Sequence, residues 1–282
     1  MVLYDLSMGR FLMIKLPVNR ILRYILDFIG HDFKIKVPFN IDESIPNLFT
    51  HFEIAKFNVK KPDIPVFLKM QFGQYYEDSV LFGLFYALER KGIFTFPFKY
   101  LELGANNPIS TSNTYLFYKL KLGKGVLVEA NPNLLKDLQL IRPNDFVVNK
   151  AITPIRHADK VDFFVCEADE LSSVSSDFVE AFRLHSLNEN QLQQFSIKER
   201  IQLEAVTCDE LFEQHGFFEL LIIDLEGIDL EVLKHLESRP FIIVIEHSVK
   251  FKHDIEIVAL EKGYKLYSSL PINDIYLRSD LW

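Results

Sequence analysis

The chain has 282 residues, enough for one large α/β domain with an appendage. Its formal net charge of −8 and lack of a basic stripe argue against a nucleic-acid binder, because phosphate neutralisation needs clustered Lys and Arg. No apolar run reaches the ~18 residues of a membrane span, and the 26 phenylalanines point to a thick core and an apolar cleft.

Residues 1–65 read as a small N-terminal extension, helical and irregular. Ile21, Leu22, Ile25, Leu26, Phe28 and Ile29 form a stripe at helical spacing beside Arg20 and Arg23. The first reading is a helix packed on the main domain. The second is an interfacial helix in peripheral contact with an anionic membrane. Arg10, Lys15, Arg20 and Arg23 interrupt the apolar residues, and no small-residue cleavage site follows, so no signal peptide is expected. Pro38, Pro46, Pro62 and Pro65 punctuate an irregular connection.

A helix is predicted over Tyr75 to Lys91, with Leu81, Leu84, Phe85 and Leu88 on one face and Gly92 as its stop. Glu77 and Asp78 in its first turn and Arg90 and Lys91 in its last suit the helix dipole. Tyr100 to Leu103 then reads as a strand that ends at Gly104 and turns polar through Ala105, Asn106 and Asn107. Ser110, Thr111 and Ser112 are candidate caps for a helix to about Leu122. A second strand, Val126 to Val128, ends in Glu129, Ala130 and Asn131. Leu134 to Ile141 is a short helix and Phe146 to Ile152 a third strand. Short βα links of this kind predict right-handed crossovers and parallel strands.

The chemistry of this first half is that of a nucleoside site. Glycine lets the backbone approach a ligand, the following helix start offers free N–H groups, and an acid at the next strand tip can accept from both ribose hydroxyls. One glycine replaces the three that seat a pyrophosphate, which points to a nucleoside without a diphosphate, and S-adenosylmethionine fits. The same lack of glycines disfavours a nicotinamide-dependent oxidoreductase.

After a short β run at Val161 to Cys166, residues 167–200 turn rich in Ser, Asn, Gln and acids and are expected as an insertion over the mouth of the sheet. Regular structure resumes at Ile201 to Val206, and Thr207 to Glu210 resembles a capping box for a helix that Gly216 ends. Leu220 to Ile223 and Phe241 to Ile245 are continuous apolar runs, the pattern of strands buried on both faces. The first breaks into Asp224, Leu225, Glu226 and Gly227, and the second into Glu246 and His247. Helices are predicted over Asp229 to Leu236 and Asp254 to Lys262, and the chain closes on an antiparallel pair at Tyr264 to Ser268 and Ile275 to Arg278. Cys166 and Cys208 belong to no C-x-x-C pair and read as buried thiols of a reducing, cytoplasmic setting.

Four parallel strands thus end in Glu102 and Gly104, in Glu129, in Asp224 and Glu226, and in Glu246 and His247. The carboxyl ends of an open parallel sheet line one crevice, so these groups are expected to converge.

Four segments carry a family resemblance: Gln71-Phe72-Gly73 with Glu77-Asp78, Leu101 to Asn106, Val128 to Pro132, and Ile223 to Gly227. They resemble the FkbM-type methyltransferases, class I enzymes dependent on S-adenosylmethionine that often act on hydroxyls of sugars or secondary metabolites. The resemblance spans residues 66–282 and implies a Rossmann-like α/β fold with a mostly parallel sheet and an antiparallel final strand. It implies that Glu102 meets the methionine ammonium, that Gly104 and Asn106 face the methionine portion, and that Glu129, Ala130 and Asn131 hold the ribose end. The implied reaction is O-methylation of a small-molecule or glycan acceptor. His247 is the first candidate for the base, with its unperturbed pKa near neutrality, and Asp224 is the second. Asp224 and Glu226 could instead hold a divalent metal that polarises the acceptor. The rival reading is a non-catalytic binding protein of the same fold.

Overall fold

A computed structural model describes residues 2–5, 10–13, 72–156, 160–184, 193, 196–248 and 250–282. The N-terminal helix expected around Ile21 to Ile29 lies outside the described residues. Before residue 72 the described backbone is an antiparallel pair, β1 (Val2–Asp5) and β2 (Arg10–Met13).

The main body follows in βα order. It runs α1 (Glu77–Arg90), β3 (Phe98–Leu103), α2 (Tyr115–Lys119), β4 (Gly123–Val128), α3 (Leu135–Ile141), β5 (Phe146–Val148), β6 (Ala151–Ile152) and β7 (Val161–Cys166). It continues through α4 (Ser176–Leu184), β8 (Ile197–Leu203), β9 (Ala205–Val206), α5 (Cys208–His215), β10 (Leu220–Ile223), α6 (Asp229–His235) and β11 (Ile242–Glu246). It ends with α7 (Lys252–Glu261), β12 (Tyr264–Ser269) and β13 (Asn273–Arg278). Seven strands form one sheet in the order β12-β13-β11-β10-β3-β4-β5. Strands β5, β4, β3, β10 and β11 are parallel, and β13 runs antiparallel to both β11 and β12. This is the mostly parallel, Rossmann-like sheet with an antiparallel last strand that the sequence predicts.

Both faces of the sheet are covered, which is why β10 and β11 are apolar at nearly every position. On one face Leu101, Leu103, Val128, Ile223 and Ile245 pack against Leu211 of α5, Leu233 of α6 and Ile255 of α7. On the other, Tyr100, Leu127, Ile222 and Val244 pack against Leu81, Phe85 and Leu88 of α1 and Phe117 of α2. The described phenylalanines enlarge this second layer. Phe85 stacks on Phe98 with ring centroids 3.9 Å apart, and Phe94 and Phe117 meet them edge-on. That cluster lies at the start of β3, the end of the sheet opposite the expected crevice.

Three local outcomes differ from the sequence reading. The helix after the glycine turn is only Tyr115–Lys119, and its N-cap Thr114 makes no side-chain cap bond. The Thr114 hydroxyl is committed elsewhere, donating to Glu102. The predicted third strand breaks after Val148, because β6 leaves the main sheet to pair with β9. Finally, the residues expected as an irregular insertion are framed by an antiparallel pair, β7 with β8, and carry α4 between them. The Thr207–Glu210 capping box of α5 forms as read.

Candidate functional site

The crevice is built by the ends of β3, β4, β10 and β11. At the first end Gly104 takes φ +80° and lies on the β10 turn so closely that an added Cβ would be 1.9 Å from the Asp224 carbonyl oxygen. The N–H groups of Gly104 and Ala105 both donate to Val128 O, at 3.0 Å each, which ties the turn to the end of β4. Gly104→Ala therefore combines a left-handed backbone with a clash against main chain. It is expected to lower unfolding stability by roughly 1–3 kcal/mol or more. A denaturant melt checks this; an unchanged midpoint would show that the turn can open away from Asp224.

Glu129 closes the same end. It is 6% exposed, and its carboxylate accepts from Asn106 N–H at 2.8 Å and Asn131 N–H at 2.6 Å. The Gly104 turn and Glu129, twenty-five positions apart in sequence, are thus one hydrogen-bonded unit. Burial pushes the Glu129 carboxyl up to about 7, against the pull of the two backbone donors and with a further push from the charge of Asp169. The loop is braced from behind by Asn149, whose Nδ2 donates to the carbonyls of Glu129 and Ala130 at 2.8 and 3.0 Å. Asn131 is wholly buried. Its N–H donates to Glu129, its Nδ2 to Asp169 at 3.0 Å, and its Oδ1 accepts from Asn133 N–H.

Glu102 is brought to the crevice wall but turned into a buried polar network. Its carboxylate accepts from Thr114 Oγ1, from Asn113 N–H at 3.2 Å and from Ser112 Oγ at 3.4 Å. The Arg142 guanidinium stands 3.4 Å away with its side chain fully buried. Arg142 also reaches Asp145, Tyr100 and Thr114 at 2.8–2.9 Å. Burial raises the Glu102 pKa and the Arg142 charge opposes that shift. Arg142, Asp145 and Asn149 were not singled out from sequence. The one available signal was the spacing of Arg142 and Asp145, three apart across a Pro-Asn turn, which reads as an ordinary surface pair until its burial is known.

The second half of the crevice is acidic. Asp224, Glu226 and Glu246 offer carboxylate oxygens that all lie within 4.8 Å of one another. Burial is the main force raising the pKa values of Asp224 and Glu226, and the neighbouring charge of Glu246 adds to it. Glu246 is raised by burial too and shares a side-chain hydrogen bond with Asp224. The turn that carries Asp224 and Glu226 is held by Asp229, which accepts from Leu225 N–H at 2.8 Å and Gly227 N–H at 3.2 Å. Oxygen ligands at this spacing suit a hard divalent cation, and these three residues could hold one.

His247 follows Glu246 but is turned to different neighbours. Its Nε2 is 2.9 Å from Lys252 Nζ and 3.3 Å from Asp274 Oδ1, while its buried Nδ1 has no hydrogen-bond partner among the described residues. The acidic trio and His247 therefore make separate clusters. The insertion reaches both halves of the crevice. Asp169 meets Asn131 at the first end; at the second, Ser173 Oγ donates to Glu226 O at 2.7 Å and Phe178 packs on Gly227.

These residues fit the adenosyl end of S-adenosylmethionine. A buried carboxylate fixed by two backbone N–H groups can still accept from two vicinal hydroxyls, and a single-glycine turn lies beside it. Among the described residues no helix is long and apolar enough to cross a membrane, and Cys166 and Cys208 are buried thiols outside any disulfide.

The model of the methyltransferase FkbM domain matches residues 102–266, more than half of the chain. Among solved structures, the chain is similar to a precorrin-6y C5,15-methyltransferase from Geobacter metallireducens GS-15, with TM-score 0.35 and 10% identity over 68% of this chain and 85% of that one. A TehB-like SAM-dependent methyltransferase from Corynebacterium glutamicum gives TM-score 0.33 and 11% identity over 85% of this chain and all of that one. Aeropyrum pernix fibrillarin, with S-adenosyl-L-methionine bound, gives TM-score 0.32 and 12% identity over 64% of this chain and 66% of that one. Likeness this loose carries no assignment, and no curated protein sequence matches the chain. The family match does carry one: the chain belongs to the FkbM methyltransferase family, enzymes that take S-adenosylmethionine as methyl donor.

Proposed function

We propose that this methyltransferase acts on a hydroxyl oxygen of a small molecule or glycan, and that Asp224, Glu226 and Glu246 receive that hydroxyl. The observation that supports this reading is the position of the trio. It stands at the end of β10 and β11, directly across the Gly104–Asp224 contact from the nucleoside end. Bound S-adenosylmethionine supplies an activated methyl group. The chain's task is then to align the acceptor oxygen and take its proton. Alignment alone can be worth on the order of 7–11 kcal/mol, and a placed base about 10²–10⁴-fold. Glu102 acts at one remove, positioning the Ser112–Thr114 loop, while Glu129 takes the ribose hydroxyls and Gly104, Asn106 and Ala130 line the pocket.

The carboxylates can serve in two ways. Desolvated and mutually repelling, they hold a proton-sharing Asp224–Glu246 pair able to act as base near neutrality. With a divalent cation bound, they would present a Lewis acid to the acceptor oxygen. The two buried free thiols suit a reducing, cytoplasmic setting.

The experiment is calorimetry with S-adenosylhomocysteine followed by turnover assays on candidate sugars and small hydroxylated metabolites. Binding without turnover on any acceptor would favour a non-catalytic binding protein. His247 remains the rival base because its Nδ1 is unpartnered among the described residues. His247→Ala is expected to lower kcat by about tenfold or less, below the effect of a placed base, and to leave donor affinity unchanged. A selective loss of kcat larger than that of Glu246→Gln would move the base role to His247.

A further inference from the structure

The three carboxylates of the trio are not held alike. Asp224 N–H donates to Leu103 O at 3.2 Å, and Glu246 pairs with Asn273 on β13, so the sheet fixes both. Glu226 lies beyond the sheet, on the turn into α6. Its backbone is left-handed, with φ +51°, a conformation unfavourable for any residue that carries a side chain. Gly227 follows at φ +105°, which makes the Glu226–Gly227 peptide the softest joint of the turn. The Glu226 carboxylate is also pressed against two others within 4.8 Å, and among the described residues no lysine or arginine forms an ion pair with the three. Strain and like charge therefore both push Glu226 out of the trio.

The joint is pinned on both sides. Gly227 N–H donates to Asp229 at 3.2 Å, and Glu226 O accepts from Ser173 Oγ at 2.7 Å. The first clamp belongs to the turn itself. The second comes from the insertion, fifty-three positions away. Ser173 is 1% exposed, and its backbone N–H and C=O are both paired with Phe164 of β7, at 3.1 and 2.8 Å. Its Oγ accepts from Ser175 N–H at 2.9 Å, and its single hydroxyl proton goes to Glu226 O. Ser175 Oγ in turn accepts from Phe178 N–H at 3.2 Å. The Phe178 ring then fills the space beside Gly227, where an added Cβ would stand 2.5 Å from it. One short segment, Ser173 to Phe178, thus covers the joint with a hydrogen bond and with a ring.

We propose that Ser173 is a positioning residue for methyl transfer: its hydroxyl holds the Glu226–Gly227 peptide so that Glu226 stays beside Asp224 and Glu246, and Phe178 closes the same joint. This rests on the reading of the trio as the acceptor site. Without the bond the peptide can turn about Gly227, and the carboxylate leaves its neighbours for water. The donor end has braces of its own in Asn149 and the backbone donors of Glu129, so donor affinity is not involved.

The test begins with hydrogen exchange of the full chain, which needs no acceptor. In Ser173→Ala the amides of Leu225 and Gly227 are expected to exchange about tenfold faster, the equivalent of one lost hydrogen bond, while those of Leu220 to Ile223 keep their rates. Ser173→Cys, nearly equal in size but a poor donor, is expected to do the same, which separates the bond from a cavity. Turnover is then followed as S-adenosylhomocysteine formed from S-adenosylmethionine and the hydroxylated compound found by the acceptor assays. Ser173→Ala is expected to lower kcat about tenfold with the KM for S-adenosylmethionine unchanged. Because it acts through Glu226, Ser173→Ala/Glu226→Gln is expected to be no slower than Glu226→Gln alone. Unchanged exchange of the turn, faster exchange with parental kcat, or losses that multiply in the double variant would each overturn the proposal and leave the acceptor site in place. Near-parental kcat in Glu226→Gln is a different outcome, and would remove Glu226 from the acceptor site together with the proposal.

Discussion

Glu129→Gln is expected to weaken S-adenosylhomocysteine binding by about a hundredfold while the protein keeps its fold. Two hydrogen bonds from ribose hydroxyls to a carboxylate are at stake, each worth roughly 1.5–3 kcal/mol when the acceptor is charged. The amide keeps the shape and can still accept from one backbone donor, so the Gly104 turn need not come apart. The same residue gives a pH signature. Burial has pushed its carboxyl up to about 7 in the free protein. Hydroxyl donors favour the ionised form, so binding drives off the proton that the free protein holds below about 7. Affinity should therefore fall as pH drops from 8 to 6, by at most tenfold per unit, and level off above 7. In Glu129→Gln the pH dependence should vanish along with most of the affinity. Calorimetry in buffers of different ionisation heat would show the released proton directly. Unaltered affinity in the variant, or a flat profile in the parent chain, would place the ribose elsewhere.

The crevice end of the sheet was legible in the sequence. Its groups sit at strand tips, and strand tips announce themselves: an apolar run stops, and a glycine or an acid follows. Leu101 to Gly104, Val126 to Glu129 and Leu220 to Glu226 each did so, and parallel pairing then brought their ends together. The parallel direction of these strands was legible in the same runs, and β12 and β13 in the closing antiparallel pair, whereas the order of strands in the sheet comes from the structure. Side-chain direction was harder. Glu102 and Glu129 look alike in sequence, each an acid near a strand end. Yet Glu102 is taken up by Arg142, Thr114, Asn113 and Ser112, partners 10 to 40 positions away. Those contacts depend on how α3 and its following turn pack, which local pattern does not encode. Likewise Glu246 and His247 are consecutive, but β11 ends at Glu246 and the chain turns after it. One joins Asp224, the other Asp274 and Lys252. Asp169 lay in a stretch with no periodicity at all, and only its bond to Asn131 marks it out.

The acidic trio carries the other large effect. Glu246→Gln is expected to lower kcat by about 10²–10⁴-fold, the range of a placed base, with donor affinity little changed because Glu129 lies at the other end of the crevice. Asp224→Asn should fall in the same range, and the double variant should lose little more than either single one, since the two share a hydrogen bond and act as a unit. Adding a chelator and then restoring divalent cation separates the two ways in which the trio can act. If the carboxylates work as a bare base, chelation changes nothing. The rate then rises with pH above the usual carboxylate range, because burial and mutual repulsion raise the carboxyls and only the ionised form can take a proton. If a cation is the working group, chelation abolishes turnover and added cation restores it. The rise with pH flattens, since a bound cation keeps the carboxylates ionised well below neutrality. Turnover that survives Glu246→Gln and Asp224→Asn at near-parental rates, under either condition, would mean that the acceptor oxygen is activated by some other group.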